Sequence, residues 1–246
     1  MTQNTTSSRS PGERAFPVID FHVHMLEEEV FKASSNKTVT TGFGTSDGSM
    51  RRRGGENLMG KMFSPEAQLA DMDARGIDIS VITASTVIQG TSWADPKTDL
   101  ALCRRCNDRT AEWVAQYPER FVGSFVIPLQ DIDLAMGEFE RCVRELRLRV
   151  ANVSTNYQGL YLGEEVYQPF WEAVMASNVT VWIHPEGIRD LWFQKYALWN
   201  SAGQSIEETR CMASLIYEGV MTRYEGVKVI IDRKSTRLNS SHLGIS

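Results

Sequence analysis

From residue 64 to residue 231 the chain repeats one alternation, a helical stretch followed by a short apolar run, and this order limits the possible folds more than any other feature. Ser64-Pro65-Glu66 opens the first regular helix, with Ser as N-cap and Pro at the first helical position, and Arg75-Gly76 stops it. Strands are expected at 18–22, 79–84, 121–127, 148–153, 179–184 and 227–231, with helices at 98–117, 134–146, 166–177 and 206–224. Strands alternating with helices build a parallel sheet from right-handed βαβ units, covered by the helices. Two architectures meet that requirement, a doubly wound open sheet and a (β/α)₈ barrel. No Gly-x-Gly-x-x-Gly follows the first strand, so a dinucleotide fold is disfavoured. The expectation is an α/β fold of the (β/α)₈ TIM-barrel kind, incomplete, with about six of eight strands.

At 246 residues, 42% of them hydrophobic, the chain can bury one large core, and residues 17–231 are read as one domain. Residues 1–16, rich in Ser, Thr, Asn and Gln, read as a disordered leader. The stretch 25–63 reads as a long irregular loop, with five glycines between Gly42 and Gly55 and the run Arg51-Arg52-Arg53. A net charge of -5 argues against a nucleic-acid or anionic-membrane partner and leaves a small molecule. No apolar run is long enough to span a bilayer. The four cysteines are too few for a disulfide scaffold and form no zinc knuckle, which points to reduced thiols in a cytoplasmic protein.

Chemistry concentrates in the histidines. In the run VIDFHVHM, His22 and His24 lie two residues apart on a strand, so both imidazoles can converge on one point. Barrel active sites lie at the C-terminal ends of the strands, and His184, in VTVWIHPEG, ends another. One such histidine is as readily a hydrogen-bonded core side chain. Three of the chain's four histidines on one rim point instead to a divalent metal, since imidazole is a preferred ligand of zinc and its neighbours.

Further pieces follow in order: DFHVH, DMDARGID with STV at 85–87, YPERFVGSFVIPLQ, ERCVREL, VWIHP and SLIYEGV. The series resembles the metal-dependent amidohydrolase superfamily, in the amidohydrolase-related branch that holds aminocarboxymuconate-semialdehyde decarboxylase and related carboxy-lyases. The resemblance implies a distorted barrel with one divalent metal, usually zinc, with His22, His24 and His184 as three ligands. It also implies an aspartate from the eighth strand as fourth ligand and a histidine after the sixth strand as general base. The implied activity is decarboxylation of a small carboxylated aromatic or muconate-type compound. A hydrolase or hydratase of a lactone, amide or unsaturated acid, and a noncatalytic binding or structural module, remain alternatives. A homodimer is the implied assembly.

Arg233 stands where the resemblance places the catalytic histidine, so no catalytic base is expected in this chain. Residues 232–246, DRKSTRLNSSHLGIS, are polar, lack barrel periodicity and read like translated sequencing adapter. They are expected to be a non-native tail on a truncated, inactive chain, which leaves His242 without a role. Arg51, Arg52 and Arg53 are candidates for holding a substrate carboxylate, against the plainer reading of a solvated run. Trp93 and Trp192 could wall a planar substrate, though loop packing explains them equally. Glu186 could support His184 or cap its loop. Asp20 is expected on the face of the histidines without ligating, and Asp71 and Asp73 are read as surface charges.

Overall fold

The computed structural model describes residues 16–34, 58–84, 86, 89–188, 190–199 and 201–231. The chain runs β1 (Ile19–Met25), α1 (Glu28–Ser34), α2 (Leu58–Met62), α3 (Pro65–Arg75), β2 (Ile79–Ala84), α4 (Pro96–Gln116), β3 (Phe121–Phe125), α5 (Ile132–Arg144) and β4 (Val150–Val153). It continues through β5 (Asn156–Tyr157), β6 (Leu160–Tyr161), α6 (Gln168–Ser177), β7 (Thr180–Ile183), α7 (Leu191–Gln194), α8 (Ala202–Tyr217), α9 (Val220–Arg223) and β8 (Lys228–Ile231).

Local chemistry sets the element ends. Ser64 Oγ accepts from the Ala67 amide at the start of α3, and Gly76, at φ 65°, returns its N–H to the Asp73 and Met72 carbonyls. Asp95 and Asp131 cap α4 and α5 in the same way as Ser64. β3 is shorter than expected because Asn107 takes both backbone groups of Val126, its Oδ1 accepting at 2.8 Å and its Nδ2 donating at 2.9 Å. The expected helix at 206–224 is two helices, since Gly219 sits at φ 74° between α8 and α9. The small antiparallel β5–β6 hairpin was not expected. It turns through Gln158 and Gly159, both at positive φ, the pair of values a type I′ turn needs.

All six main strands are parallel, in the order β1-β2-β3-β4-β7-β8. Each lies beside its neighbour in the chain and the order never reverses. A doubly wound sheet has a reversal, whereas a barrel wall does not, so the sheet is an incomplete (β/α)₈ barrel wall. Its outer face packs on the helices through two apolar clusters, one around Phe125, Phe139, Phe170 and Ile183 and one around Met25, Ile82, Trp113 and Phe121. The inner face carries Val81, Val150 and Trp182, with Phe21 and Ile230 against them. These five side chains come from five different strands and form a floor beneath the C-terminal strand ends.

The stretch 25–63 is not irregular throughout. Helices α1 and α2 occupy its two ends, and Arg51, Arg52 and Arg53 lie outside the described residues. Residues 1–15 and 232–246, including Arg233 and His242, also lie outside them. No described helix is long and apolar enough to cross a membrane.

Candidate metal centre

β1 runs to Met25, three residues further than expected, and pairs with β2 through an irregular register. Asp20 pairs with Ser80 and Val23 with Ile82, so β1 holds one extra residue between them, a bulge. The bulge breaks the strict alternation assumed for Asp20. Phe21 packs into the inner floor, and His22 and His24 follow above it, while the Asp20 carboxylate accepts the His22 amide at 3.0 Å. Asp20 thus holds the bulge and is not one of the converging groups.

His184 follows β7 directly and is fully buried, whereas His22 and His24 are half-buried. The ring nitrogens of the three histidines offer one ligand atom each, all within 4.8 Å of one another. The Nε2 atoms of His22 and His24 are 2.9 Å apart, and the His184 ring centroid lies 5.2 Å and 5.3 Å from theirs. Trp182 stands edge-on to His22 at 5.5 Å, so the floor fixes the ring from below.

Supporting groups come from the loops after β2 and β7 and from helices α3 and α8. His184 Nδ1 is 3.1 Å from the Pro185 carbonyl and 3.2 Å from Thr86 Oγ1, and Gln204 Nε2 donates to the same carbonyl at 3.3 Å. Such contacts on one ring nitrogen aim the other, the arrangement that orients ligating imidazoles. Gln68 Nε2 donates to the His24 carbonyl and Gln89 Nε2 to the Met25 carbonyl, which pins the end of β1. Thr86, Gln204, Gln68 and Gln89 had no signal in sequence, because only the tertiary fold brings these loop and helix residues to the histidines.

The other candidates are dispersed. Trp93 donates its indole N–H to Ser34 Oγ at 3.4 Å and ties the β2–α4 loop to α1. Trp192 is 57% exposed on α7, edge-on to Phe193. Glu186 accepts from Ser92 Oγ at 3.1 Å and lines a small cavity on the rim beside His184. Asp71 pairs with Lys61 and Arg75, and Asp73 with Arg120, as surface charges do. All four cysteines are free and buried. Burial pushes their thiols up, Cys211 to about 12, so none is poised as a nucleophile.

Comparison with known proteins agrees with this geometry. The sequence pattern of the amidohydrolase family matches residues 19–232. The 2-amino-3-carboxymuconate-6-semialdehyde decarboxylase of Dictyostelium discoideum is 28% identical over 169 residues, 68% of this chain and 46% of that protein. Gamma-resorcylate decarboxylase of Polaromonas sp. is 38% identical over 121 residues, 46% of this chain and 36% of that one. The crystal structure of dihydroxybenzoic acid decarboxylase from Polaromonas sp. JS666, with bound manganese and 2-nitroresorcinol, superposes with a TM-score of 0.69 at 25% identity, covering 87% of this chain and 64% of that one. The chain thus spans less than half the length of these two curated relatives. With the family pattern running from β1 through β8, and three histidines gathered on the rim where a barrel keeps its chemistry, the chain belongs to the amidohydrolase family.

Proposed function

We propose that this chain carries the metal-binding part of a metal-dependent carboxy-lyase, an enzyme that releases carbon dioxide from a small carboxylated aromatic or muconate-type acid. The observation that carries the reading is the convergence of His22, His24 and His184 at the C-terminal rim. Three imidazole nitrogens within 4.8 Å of one another suit one divalent ion with open positions left for substrate. Bound there, the ion would act as a Lewis acid on a substrate oxygen. Zinc is the reading from the donor set, and the manganese in the Polaromonas structure makes manganese its rival.

The chain's own residues do the rest of the positioning. Buried His184, braced by Pro185, Thr86 and Gln204, supplies the most rigid of the three donors. His22 and His24, both half-buried, supply the more accessible side. Decarboxylation also needs a proton delivered to the carbon that loses carbon dioxide. We assign that role to a group outside this chain's described residues, since Arg233 occupies the position of the family's histidine. Residues 232–246 are proposed to be non-native, and the 246-residue chain to bind metal with little or no turnover. Substrate contacts from Arg51, Arg52 and Arg53, a homodimeric assembly and a cytoplasmic location complete the proposal. Four buried reduced thiols fit the last of these.

Elemental analysis of the purified chain tests the centre. About one zinc or manganese per chain is expected, lost in the His22→Ala, His184→Ala double variant; unchanged metal in that variant would refute it. Carbon dioxide release by a chain carrying the natural sequence after Ile231, loaded with metal, separates a lyase from a hydrolase or hydratase. Resequencing the source locus decides the tail, and natural codons for these residues would overturn that part.

A further inference from the structure

His24 and His184 meet from strands that do not pair. Between β1 and β7 stand β2, β3 and β4, so four strand spacings, roughly 19 Å along the wall, are closed by curvature alone to ring centroids 5.3 Å apart. A slight flattening of the wall would draw the two rings apart. A brace across the top of the wall would hold the curvature, and the loop from β2 to α4 makes the contacts of one.

On the β1 side the brace is Gln89, 2% exposed. Its Nε2 donates to the Met25 carbonyl at 3.1 Å and its Oε1 accepts the Glu27 amide at 3.0 Å. A parallel neighbour strand takes this same pair from an extended chain, the carbonyl before a residue and the amide after it. The side-chain amide thus stands in for a peptide group and carries the ladder one step past β1, just beyond His24. On the β7 side Thr86 Oγ1 lies 3.2 Å from His184 Nδ1, and Ser92 Oγ donates to Glu186 at 3.1 Å.

The described part of the loop is tightly held between these contacts. Gly90 lies so close to Thr86 that a Cβ on it would collide with the Thr86 carbonyl, which locks the two sides of the turn together. The Gly90 carbonyl accepts from the fully buried Ser34 Oγ at 3.1 Å, and Trp93 Nε1 donates to the same hydroxyl, so the end of α1 keeps the loop in place.

We propose that the β2–α4 loop is a yoke that sets the separation of the β1 histidines from His184, with Gln89 and Thr86 as its positioning residues. The inference rests on the metal-centre reading and adds what keeps the two halves of that centre at binding distance. Gln89 acts through the backbone that carries His24, and Thr86 through the His184 ring. A separation is fixed only while both ends of a brace hold, so the two residues act as one unit.

The test is Co2+ binding to the purified chain, measured by chelator competition, with the visible d–d bands as the record of ligand geometry. Gln89→Met, which keeps the volume and removes the amide, should weaken binding about tenfold and shift the bands. Thr86→Val should do likewise. The double variant should also bind about tenfold more weakly than wild type, since the second change releases an arm already free, whereas independent supports would multiply to about a hundredfold. Ser34→Ala, which frees Gly90 from α1 and leaves every group at the histidines in place, should weaken binding in the same direction and carries the test should Gln89→Met lose its fold. Unchanged affinity and bands in Gln89→Met or Ser34→Ala, or losses that multiply in the double variant, would overturn the yoke alone. No Co2+ bound by the wild-type chain would overturn the metal-centre reading and the yoke with it.

Discussion

Glu138, on α5, has no exposed side-chain surface and gathers five donors, which makes its removal the sharpest test of how this fold is held. Oε1 accepts from Asn107 Nδ2 at 2.8 Å, from Arg141 at 2.7 Å and from the Cys142 thiol; Oε2 accepts from the Nε atoms of Arg104 and Arg141, both at 2.9 Å. Asn107 in turn holds Val126, so the network joins α4, α5 and the end of β3. Glu138→Ala leaves those donors facing a gap. Breaking a buried ion pair from one side costs about 3–5 kcal/mol. Arg104 is half exposed and can turn to water, while Arg141 and Asn107 cannot do so fully, so about 3 kcal/mol is expected. For a domain of this size that is a drop in Tm of about 6–12 °C.

The pH dependence supplies a second readout. Burial alone would raise the Glu138 pKa, but hydrogen bonds from Arg141, Asn107 and Arg104 outweigh it and hold the carboxyl below its usual range. A lowered native pKa means stability that is fully present above the unfolded value of about 4.3 and is lost as pH falls through the native value. The Tm gap between wild type and Glu138→Gln, followed by circular dichroism, should therefore be constant from pH 7 to 5 and narrow below about 4. A Glu138→Ala shift under about 2 °C, or a gap that widens in acid, would refute the reasoning.

Three further outcomes follow from single sites. Gly187, at φ 94° in the loop after His184, leaves no room for a Cβ, which would meet the Trp199 carbonyl at 2.5 Å; Gly187→Ala should shift that loop and weaken metal retention in a chelator competition. Ser64→Ala removes the cap of α3 and should cost about 1 kcal/mol, read as a Tm fall of about 2–4 °C. Glu207 on α8 accepts from Asn156 at 2.7 Å and from Tyr161 at 3.1 Å, so Glu207→Ala should speed hydrogen exchange in the β5–β6 hairpin while the main sheet stays protected.

Much of the architecture was legible because it rests on local rules. Capping at Ser64, the stop at Gly76 and the apolar run 79–84 each act within a few residues, and the observed elements match them closely. Where a distant side chain decides, the reading fails. β3 ends early because Asn107 reaches across from α4, and no pattern within 121–127 encodes that. The hairpin at 156–161 is too short to carry a periodic signal, and only the positive φ of Gln158 and Gly159 makes it. The bulge in β1 depends on pairing with β2, so Asp20 was assigned by an alternation that the pairing breaks.

By itself the sequence determined the alternation of strands and helices, the family, and the choice of the three histidines as the candidate site, because periodicity and motif spacing are properties of the chain alone. The tertiary structure decided that those histidines meet within 4.8 Å, since their separation of some 160 residues can be closed only by strands β1 and β7 standing on one barrel wall. It also decided which polar groups surround them. Thr86, Gln89 and Gln204 are ordinary residues in sequence, and their placing at one rim makes their hydrogen-bonding capacity count.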